Sequence, residues 1–249
     1  GNSPSISNRT YVAWNWKAGG SSSSNSDGSI TSTVSANVDA GFSIVGYTGN
    51  NVAGATIGHG LSAKPDLIIV KIRADNYTGR VYNSISGATK YLDWASTATL
   101  GTYQHMWNNT EPTDEVFSVG HDVTVGGYPI RTFIAYCFHS VDGYSKVGTY
   151  EGNASTDGTF VYTGFRPSLI ICKSLDGSAH WEMLDDTRDI DNVVHHALQA
   201  NLSSAESAVN TRNNVDFLSN GFKFRENESN VMNGSETYIY IAFASVPFK

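Results

Sequence analysis

The most polar stretch of the chain is HWEMLDDTRDIDNVVHH, residues 180–196. The carboxylates of Asp185, Asp186 and Asp189 are candidate calcium ligands, because Ca²⁺ binds carboxylate oxygens. Their spacing differs from that of an EF-hand loop, which requires a glycine and a distal glutamate at fixed positions. The alternative, which we favour, is an acidic turn in which Arg188 pairs with a neighbouring carboxylate.

Two adjacent histidines, His195 and His196, end this stretch. Neighbouring side chains point to opposite faces of a strand and diverge by a large angle on a helix. We therefore expect that the two histidines do not share one ion, and we predict no cofactor. Cys137 and Cys172 lie in strand-like runs and outside any CxxC motif, so we expect two buried free thiols, with a single disulfide as the alternative.

A second polar stretch combines aromatic rings with amides in a loop-like sequence, YLDWASTATLGTYQHMWNNTEPTDE. Aromatic rings pack against the C–H groups of sugars, and asparagine side chains supply hydrogen bonds. The candidate carbohydrate-binding residues are Trp94, Tyr103, His105, Trp107, Asn108 and Asn109. For Trp94, packing in a hydrophobic core is the favoured alternative.

The sequence contains no strong motif for a catalytic site. The chain has no GxSxG motif, the signature of a serine nucleophile on a strand-to-helix turn. Glycoside cleavage requires only two carboxylates close in space, and the sequence marks no pair. The carboxylates that would be available are Glu111, Asp114, Glu115, Glu182 and Asp185. We predict that the chain is not an enzyme.

Composition indicates a β-rich protein with a neutral polar surface, since 40% of the residues are hydrophobic and only 16% are charged. The net charge of −7 argues against a nucleic-acid-binding surface. The sequence contains no apolar run near the length of a membrane span, so we expect no membrane insertion.

Internal repetition organises the chain. The phrase GLSAKPDLIIVK recurs as GFRPSLIICK, and the prolines that they share, Pro65 and Pro167, are 102 residues apart. The repeat is too long for a solenoid and is typical of whole domains in tandem. We therefore predict two homologous units, residues 41–142 and 143–249.

Each unit consists of short strand-like runs separated by Gly, Asn and Asp turns, a pattern typical of a sandwich or a jelly roll. The predicted fold class is all-β: two tandem antiparallel β-sandwich domains, jelly-roll or lectin-like, with at most a short helix in each. The best candidate for a helix is NVVHHALQANLSSAE, residues 192–206, which lacks Gly and Pro.

The phrase TFIAYCF ends the first unit, and its echo TYIYIAF ends the second. Ile134, Tyr136 and Phe138 alternate with Ala135 and Cys137, and successive side chains of a strand point to opposite faces. We expect the large side chains to fill the core of the unit and the small ones to allow close packing from the other side.

A third copy of the closing phrase, YVAWNW, lies within residues 1–18 and has no unit before it. It either completes a preceding repeat or inserts into the sheet edge of a neighbouring subunit. The candidate assembly residues are Tyr11, Val12, Trp14 and Trp16. Residues 19–40 begin with a Gly/Ser-rich run and are predicted to be a linker, although Ile30, Val34 and Val38 alternate as in an extended edge segment.

Several motifs in series resemble a family of tandemly repeated domains in structural proteins of tailed bacteriophages, often marine. The motifs are YVAWNWKAGG, NSDGSITSTVSANVDAGFSIVGYTGN, GHGLSAKPDLIIVK, VYNSISGATKYL and TFIAYCFHSVDGYSKVGTYEGN. Family members typically have cysteine where this chain has Asn15. The matching position of the closing phrase in the first unit is a cysteine, Cys137. The resemblance implies a β-sandwich component of a tail fibre or tailspike, and it supplies no catalytic residues.

The expected function is that of a non-enzymatic virion module, extracellular and located in a tail or surface appendage, that contributes to host attachment. The expected partners are other virion or fibre subunits, as a homo-oligomer, together with host surface glycans. The alternatives are a lectin-like domain acting on its own account, a subunit of a capsid surface or extracellular filament assembled through the N-terminal strand, and a polysaccharide depolymerase.

Overall fold

The computed structural model describes residues 8, 10–73, 75–127, 131–206, 214–227 and 231–245. Within these residues the chain forms antiparallel sheets and one short helix, α1 (Gln104–Trp107), so the prediction of an all-β fold is confirmed. None of the described helical structure is long and apolar enough to cross a membrane.

The first half of the chain contributes ten strands among the described residues. They are β1 (Ser23–Asn25), β2 (Ser32–Asn37), β3 (Phe42–Thr48), β4 (Ala55–Gly58), β5 (Leu67–Ile72), β6 (Arg80–Asn83), β7 (Lys90–Asp93), β8 (Gly101–Thr102), β9 (Val116–Val119) and β10 (Thr132–Phe138). Eight of them form a large sheet in the order β1-β2-β3-β10-β5-β6-β7-β8, and β4 pairs with β9 in a small sheet.

The second half contributes eight strands among the described residues. They are β11 (Ser145–Glu151), β12 (Phe160–Tyr162), β13 (Leu169–Ser174), β14 (Glu182–Asp185), β15 (Leu198–Gln199), β16 (Val215–Leu218), β17 (Gly221–Phe224) and β18 (Thr237–Phe243). The large sheet has the order β11-β18-β13-β14-β15, and the small sheet has the order β12-β17-β16.

The strand order β3-β10-β5-β6 of the first half corresponds to β11-β18-β13-β14 of the second. In each half the closing strand, β10 or β18, lies between the opening strand and the apolar central strand. The offset of 102 residues that relates the two sequences also relates the bounds of β5 to those of β13 and the bounds of β6 to those of β14.

Alternation along the central strands produces three hydrophobic layers. In β5, Ile68 and Val70 point into a first core, which lies between the large sheet and the β4-β9 sheet, while Leu67 points the opposite way. In β13, Ile170 points into a second core within the second half, while Ile171 points the opposite way. The outward-pointing residues of both large sheets meet in a third cluster, the shared layer. Its buried members are Leu67, Val81, Leu92, Leu169, Ile171, Leu175, Trp181, Met183, Ile239, Ile241 and Phe243.

The expected orientation of the closing strand β10 is wrong. Ala135 and Cys137 are the residues that lie fully buried in the first core, whereas Tyr136 and Phe138 are only partly buried on the opposite face. The physical reason is that this face of the large sheet is also covered. The large side chains therefore serve the layer between the halves and not the core of one unit.

The prediction of a linker over residues 19–40 is wrong for residues 23–25 and 32–37. Strands β1 and β2 lie there and form the edge of the eight-stranded sheet. Ile30 and Val34 are buried in the first core, because alternate residues of this segment point inward. Val38, the third residue of the alternation, is exposed.

The expected helix at residues 192–206 is also wrong. This stretch contains β15 and an isolated bridge between Val194 and Val215 of β16. The side-chain amide of Asn192 exchanges hydrogen bonds with the backbone of Phe217 at 3.0 and 2.9 Å. Hydrogen bonds to the neighbouring strand β16 therefore replace the intrahelical hydrogen bonds that helix propensity alone predicts.

The prediction of two buried free thiols is confirmed. Cys137 lies in the first core and Cys172 in the second, and both are free. Burial raises the pKa of each thiol to about 12.

Candidate assembly site in the shared layer

The N-terminal segment, residues 10–18, runs over the shared layer without pairing as a strand. Its side chains alternate between partly buried and exposed, with Val12, Trp14 and Trp16 partly buried and Ala13 and Asn15 exposed. The predicted division of the segment into two faces is therefore correct. The predicted strand is not observed in residues 10–18, while residues 1–7 and 9 lie outside the described part.

Trp16 joins the closing strands of both halves. Its ring meets Phe138, the last residue of β10, at 6.2 Å between centroids and Phe243, the last residue of β18, at 5.4 Å. Both contacts have the edge-to-face geometry that aromatic pairs prefer. Phe138 and Phe243 also contact each other at 5.9 Å, so three rings from distant parts of the sequence form one cluster.

Trp14 is held by the acidic turn, residues 185–189. Its indole Nε1 donates a hydrogen bond to Oδ2 of Asp185 at 3.2 Å, and the guanidinium of Arg188 lies 5.7 Å from its ring centroid. Arg188 binds the same Asp185 oxygen at 2.7 Å and Glu206 at 2.7 Å. The favoured interpretation of the acidic stretch, a turn in which Arg188 pairs with a neighbouring carboxylate, is confirmed.

A cavity of about 400 Å³ lies between the N-terminal segment and the two large sheets. Its lining residues are Trp14, Asn15, Trp16, Phe42, Ile44, Leu67, Ile69, Trp94, Tyr136, Phe138, Ile171, Met183, Ile241 and Phe243. These residues include no carboxylate, imidazole, thiol or amine. The cavity is therefore suited to hold apolar or aromatic groups and not to transfer protons.

Two of the six candidate sugar-binding residues are used inside the protein. Trp94 packs against Trp181 at 4.8 Å in the shared layer, so the favoured alternative of core packing is correct. Trp107 is 2% exposed in the first core, and its Nε1 donates to the backbone carbonyl of Lys90 at 3.0 Å. The proposal of Trp107 as a sugar platform is wrong, because the ring is covered by the first core.

The other candidates lie at the surface around α1. Tyr103 is 42% exposed, and its ring meets the edge of His105 at 4.9 Å. Asn108 and Asn109 follow the helix in left-handed backbone conformations and are exposed. His121, whose ring lies 3.9 Å from His105, joins this group from another loop, and no sequence signal pointed to it.

The three aspartates of the predicted calcium site do not share partners. Asp185 binds Arg188, whereas Asp186 binds Arg166 and Ser168. Asp189 accepts hydrogen bonds from the backbone N–H groups of the two adjacent histidines and lies 2.5 Å from Nδ1 of His196. The predicted ligand set is therefore wrong, because arginine and hydroxyl partners draw two of its carboxylates away.

The expected divergence of the His195 and His196 side chains is wrong as well. Their rings lie 4.3 Å apart, and both face the carboxylate of Asp189. The segment is neither strand nor helix at this point. The chain wraps around Asp189, and its two successive N–H groups bond to one carboxylate oxygen.

Three of the five carboxylates considered for glycoside cleavage, Glu111, Glu182 and Asp185, have structural partners. Glu111 receives hydrogen bonds from the hydroxyl of Tyr82 at 2.5 Å and the N–H of Ala88 at 2.6 Å, and it pairs with Lys64. Glu182 is buried and receives a hydrogen bond from Gln199, and burial raises its pKa.

Comparison with known proteins gives one match. A family model described as a domain of unknown function, DUF7483, matches residues 2–247. No curated protein and no solved structure matches the chain. The matched region spans both halves, including the N-terminal segment and the shared layer. The chain therefore belongs to the DUF7483 family of domains of unknown function.

Proposed function

We propose that the chain is a non-catalytic structural and adhesion module of a tailed-bacteriophage appendage, a tail fibre or a tailspike. The observation that carries the proposal is the position of Trp16, which contacts the closing strands of both halves. A segment that contacts two successive β-units at once is suited to an extended appendage built from repeated units. The motifs shared with repeated virion domains support the same function.

The N-terminal segment supplies the assembly contact in this proposal. It repeats the closing phrase of a unit, yet it docks by side chains alone on the layer between two sheets. In a series of repeats, the end of one unit would dock in this way on the next. Such a head-to-tail contact is heterologous, and it builds linear arrays when it does not close into a ring.

The test uses a chain that lacks residues 1–19 and a fluorescein-labelled peptide of residues 8–20. We expect the truncated chain to bind the peptide, as measured by fluorescence anisotropy, and a peptide with Trp14→Ser and Trp16→Ser to bind at least tenfold more weakly. Equal binding of both peptides, or no binding to a truncated chain with native circular dichroism, would contradict the proposal. If the truncated chain does not fold, the full chain carrying Trp16→Ala takes its place and must itself bind the peptide.

Glycan binding is a second candidate function, favoured by the exposed residues Tyr103, Asn108 and Asn109 and by the partly exposed His105, which contacts the Tyr103 ring. An aromatic ring and two amides at opposite ends of a short helix are suited to a sugar with both apolar and hydroxyl faces. A glycan array with the wild-type chain and Tyr103→Ala tests it. We expect binding to a surface polysaccharide that the variant loses, and binding that the variant keeps would exclude this surface.

A further inference from the structure

Outside the shared layer, one group of side chains has the composition of a metal site. Asp189, His195 and His196 each offer a ligand atom, and these atoms all lie within 4.8 Å of one another. We propose that these three residues bind a divalent transition-metal ion of the zinc type. Two imidazoles and one carboxylate form a donor set that Zn²⁺, Co²⁺ and Ni²⁺ accept and that Ca²⁺ and Mg²⁺ do not favour.

The carboxylate of Asp189 is fixed in place before any ion arrives. Its residue is buried, and its Oδ2 accepts the backbone N–H groups of His195 at 2.8 Å and His196 at 2.7 Å. These bonds fix the orientation of the carboxylate, as outer-shell hydrogen bonds do for metal ligands.

The second oxygen of Asp189 is the point on which both rings converge. Nδ1 of His196 lies 2.5 Å from Oδ1, and Nδ1 of His195 lies 3.5 Å from the same atom. Nδ1 of His195 also lies 3.0 Å from the backbone carbonyl of Val193, so metal binding requires this ring to give up that contact or to offer Nε2. A cation between the three groups would be bound by Oδ1 and by one nitrogen of each ring.

The fit requires only small movements. Ligands bound to one zinc ion at about 2.0–2.2 Å lie about 3.3–3.6 Å from each other in a tetrahedral site. The His195 contact, at 3.5 Å, already has this length, and the His196 ring must move outward by about 1 Å, which a side-chain rotation supplies. Both rings are partly exposed, so water completes the coordination and the ion has a path from solvent.

The position of the site suggests a structural role. Asp189 follows Arg188, the residue that holds Asp185 and stacks on Trp14. An ion at Asp189 would fix the end of the acidic turn. It would thereby stabilise the contacts of Asp185 and Arg188 with Trp14 of the N-terminal segment. In the first half, the residue 102 positions earlier is Gly87, so the site belongs to the second half alone.

The test uses the untagged full chain after treatment with a chelator. We expect isothermal titration to give one Zn²⁺ per chain, and Co²⁺ to produce the visible absorption of a site with nitrogen and oxygen ligands. The variants Asp189→Asn and His196→Gln should each weaken the binding of Zn²⁺ at least tenfold. The matched control is His105→Gln, which removes a member of the other close histidine pair and should leave the affinity unchanged.

Three results would contradict the proposed site. They are a dissociation constant for Zn²⁺ no lower than millimolar, an unchanged affinity for Zn²⁺ in Asp189→Asn, and a loss of Zn²⁺ binding in the control variant His105→Gln. To separate loss of a ligand from a change of fold, far-ultraviolet circular dichroism and the melting temperature of each metal-free variant are compared with those of the metal-free wild type. A variant that has lost its native spectrum is replaced by His195→Gln, for which the same weakening is expected.

Discussion

Replacing Trp16 with alanine should loosen the contact between the two halves. A buried tryptophan side chain removes about 150–250 Å² from water. Because Trp16 is partly buried, we take about 150 Å², which at ~25 cal/mol per Å² corresponds to about 4 kcal/mol. Residual burial in the unfolded chain reduces this figure to about 2–3 kcal/mol.

The assay is urea unfolding followed by circular dichroism, with thermal melting as a second measurement. A loss of about 2–3 kcal/mol corresponds to a decrease of about 5–10 °C in the melting temperature of a chain of this size. Lys17→Ala is the matched control, because Lys17 is the exposed neighbour of Trp16 and its replacement should change the free energy of unfolding by less than about 0.5 kcal/mol.

The aromatic contacts with Phe138 and Phe243 can be separated from simple burial. Trp16→Leu keeps an apolar side chain but loses the ring contacts, so its effect should lie between those of wild type and alanine. If Trp16→Ala unfolds at the same urea concentration as Lys17→Ala, the segment does not dock on the shared layer and the reasoning is wrong.

Three further outcomes are expected. Trp107→Ala should lower the free energy of unfolding by about 3–5 kcal/mol because the ring fills the first core. Tyr103→Ala should change it by less than about 0.5 kcal/mol because this side chain is exposed. Urea titrations in which Tyr103→Ala is the more destabilised variant would contradict the burial of Trp107. Cys137 and Cys172 should resist a thiol reagent such as DTNB in the native chain at pH 7.5 and both react in urea, because burial raises their pKa to about 12; rapid native labelling would contradict this. Burial lowers the pKa of Lys173 from 10.5 to about 8. Below pH 8 the side chain is charged in both the folded and the unfolded state, and the buried charge destabilises the folded state. Above pH 10.5 the side chain is neutral in both states. The stability of wild type relative to Lys173→Met should therefore increase between about pH 8 and 10.5, and a flat or falling difference in urea titrations would refute this assignment.

The central strands were predictable from the sequence because their residues are apolar on both faces. The runs of β5 and β13 are bounded by a proline and a polar loop, which is the pattern of a strand covered on two sides. The same property misled the interpretation of β10. When both faces of a strand are apolar, the sequence does not tell which face serves which layer, and Ala135 proved to be the core residue.

The site was predictable only in its local part. Alternation identified Trp14 and Trp16 as one face of the N-terminal segment. Their partners were not predictable, because Asp185 lies 171 positions from Trp14 and tertiary contacts at such separation leave no local pattern. The approach of His195 and His196 to Asp189 was not predictable for a different reason: side-chain directions follow from the sequence only in regular strands and helices, and this segment adopts neither.

The central proposal, that the chain is a structural part of a phage appendage, is tested most directly by immunogold electron microscopy of tailed particles purified from cells that produce the chain. Antibodies raised against residues 41–245 should label the tail or a fibre attached to it, and mass spectrometry should find the chain in the same particles. The account predicts labelling at a fixed distance from the particle head. Particles that contain none of the chain, while the soluble lysate of the same cells contains it in abundance, would contradict the claim.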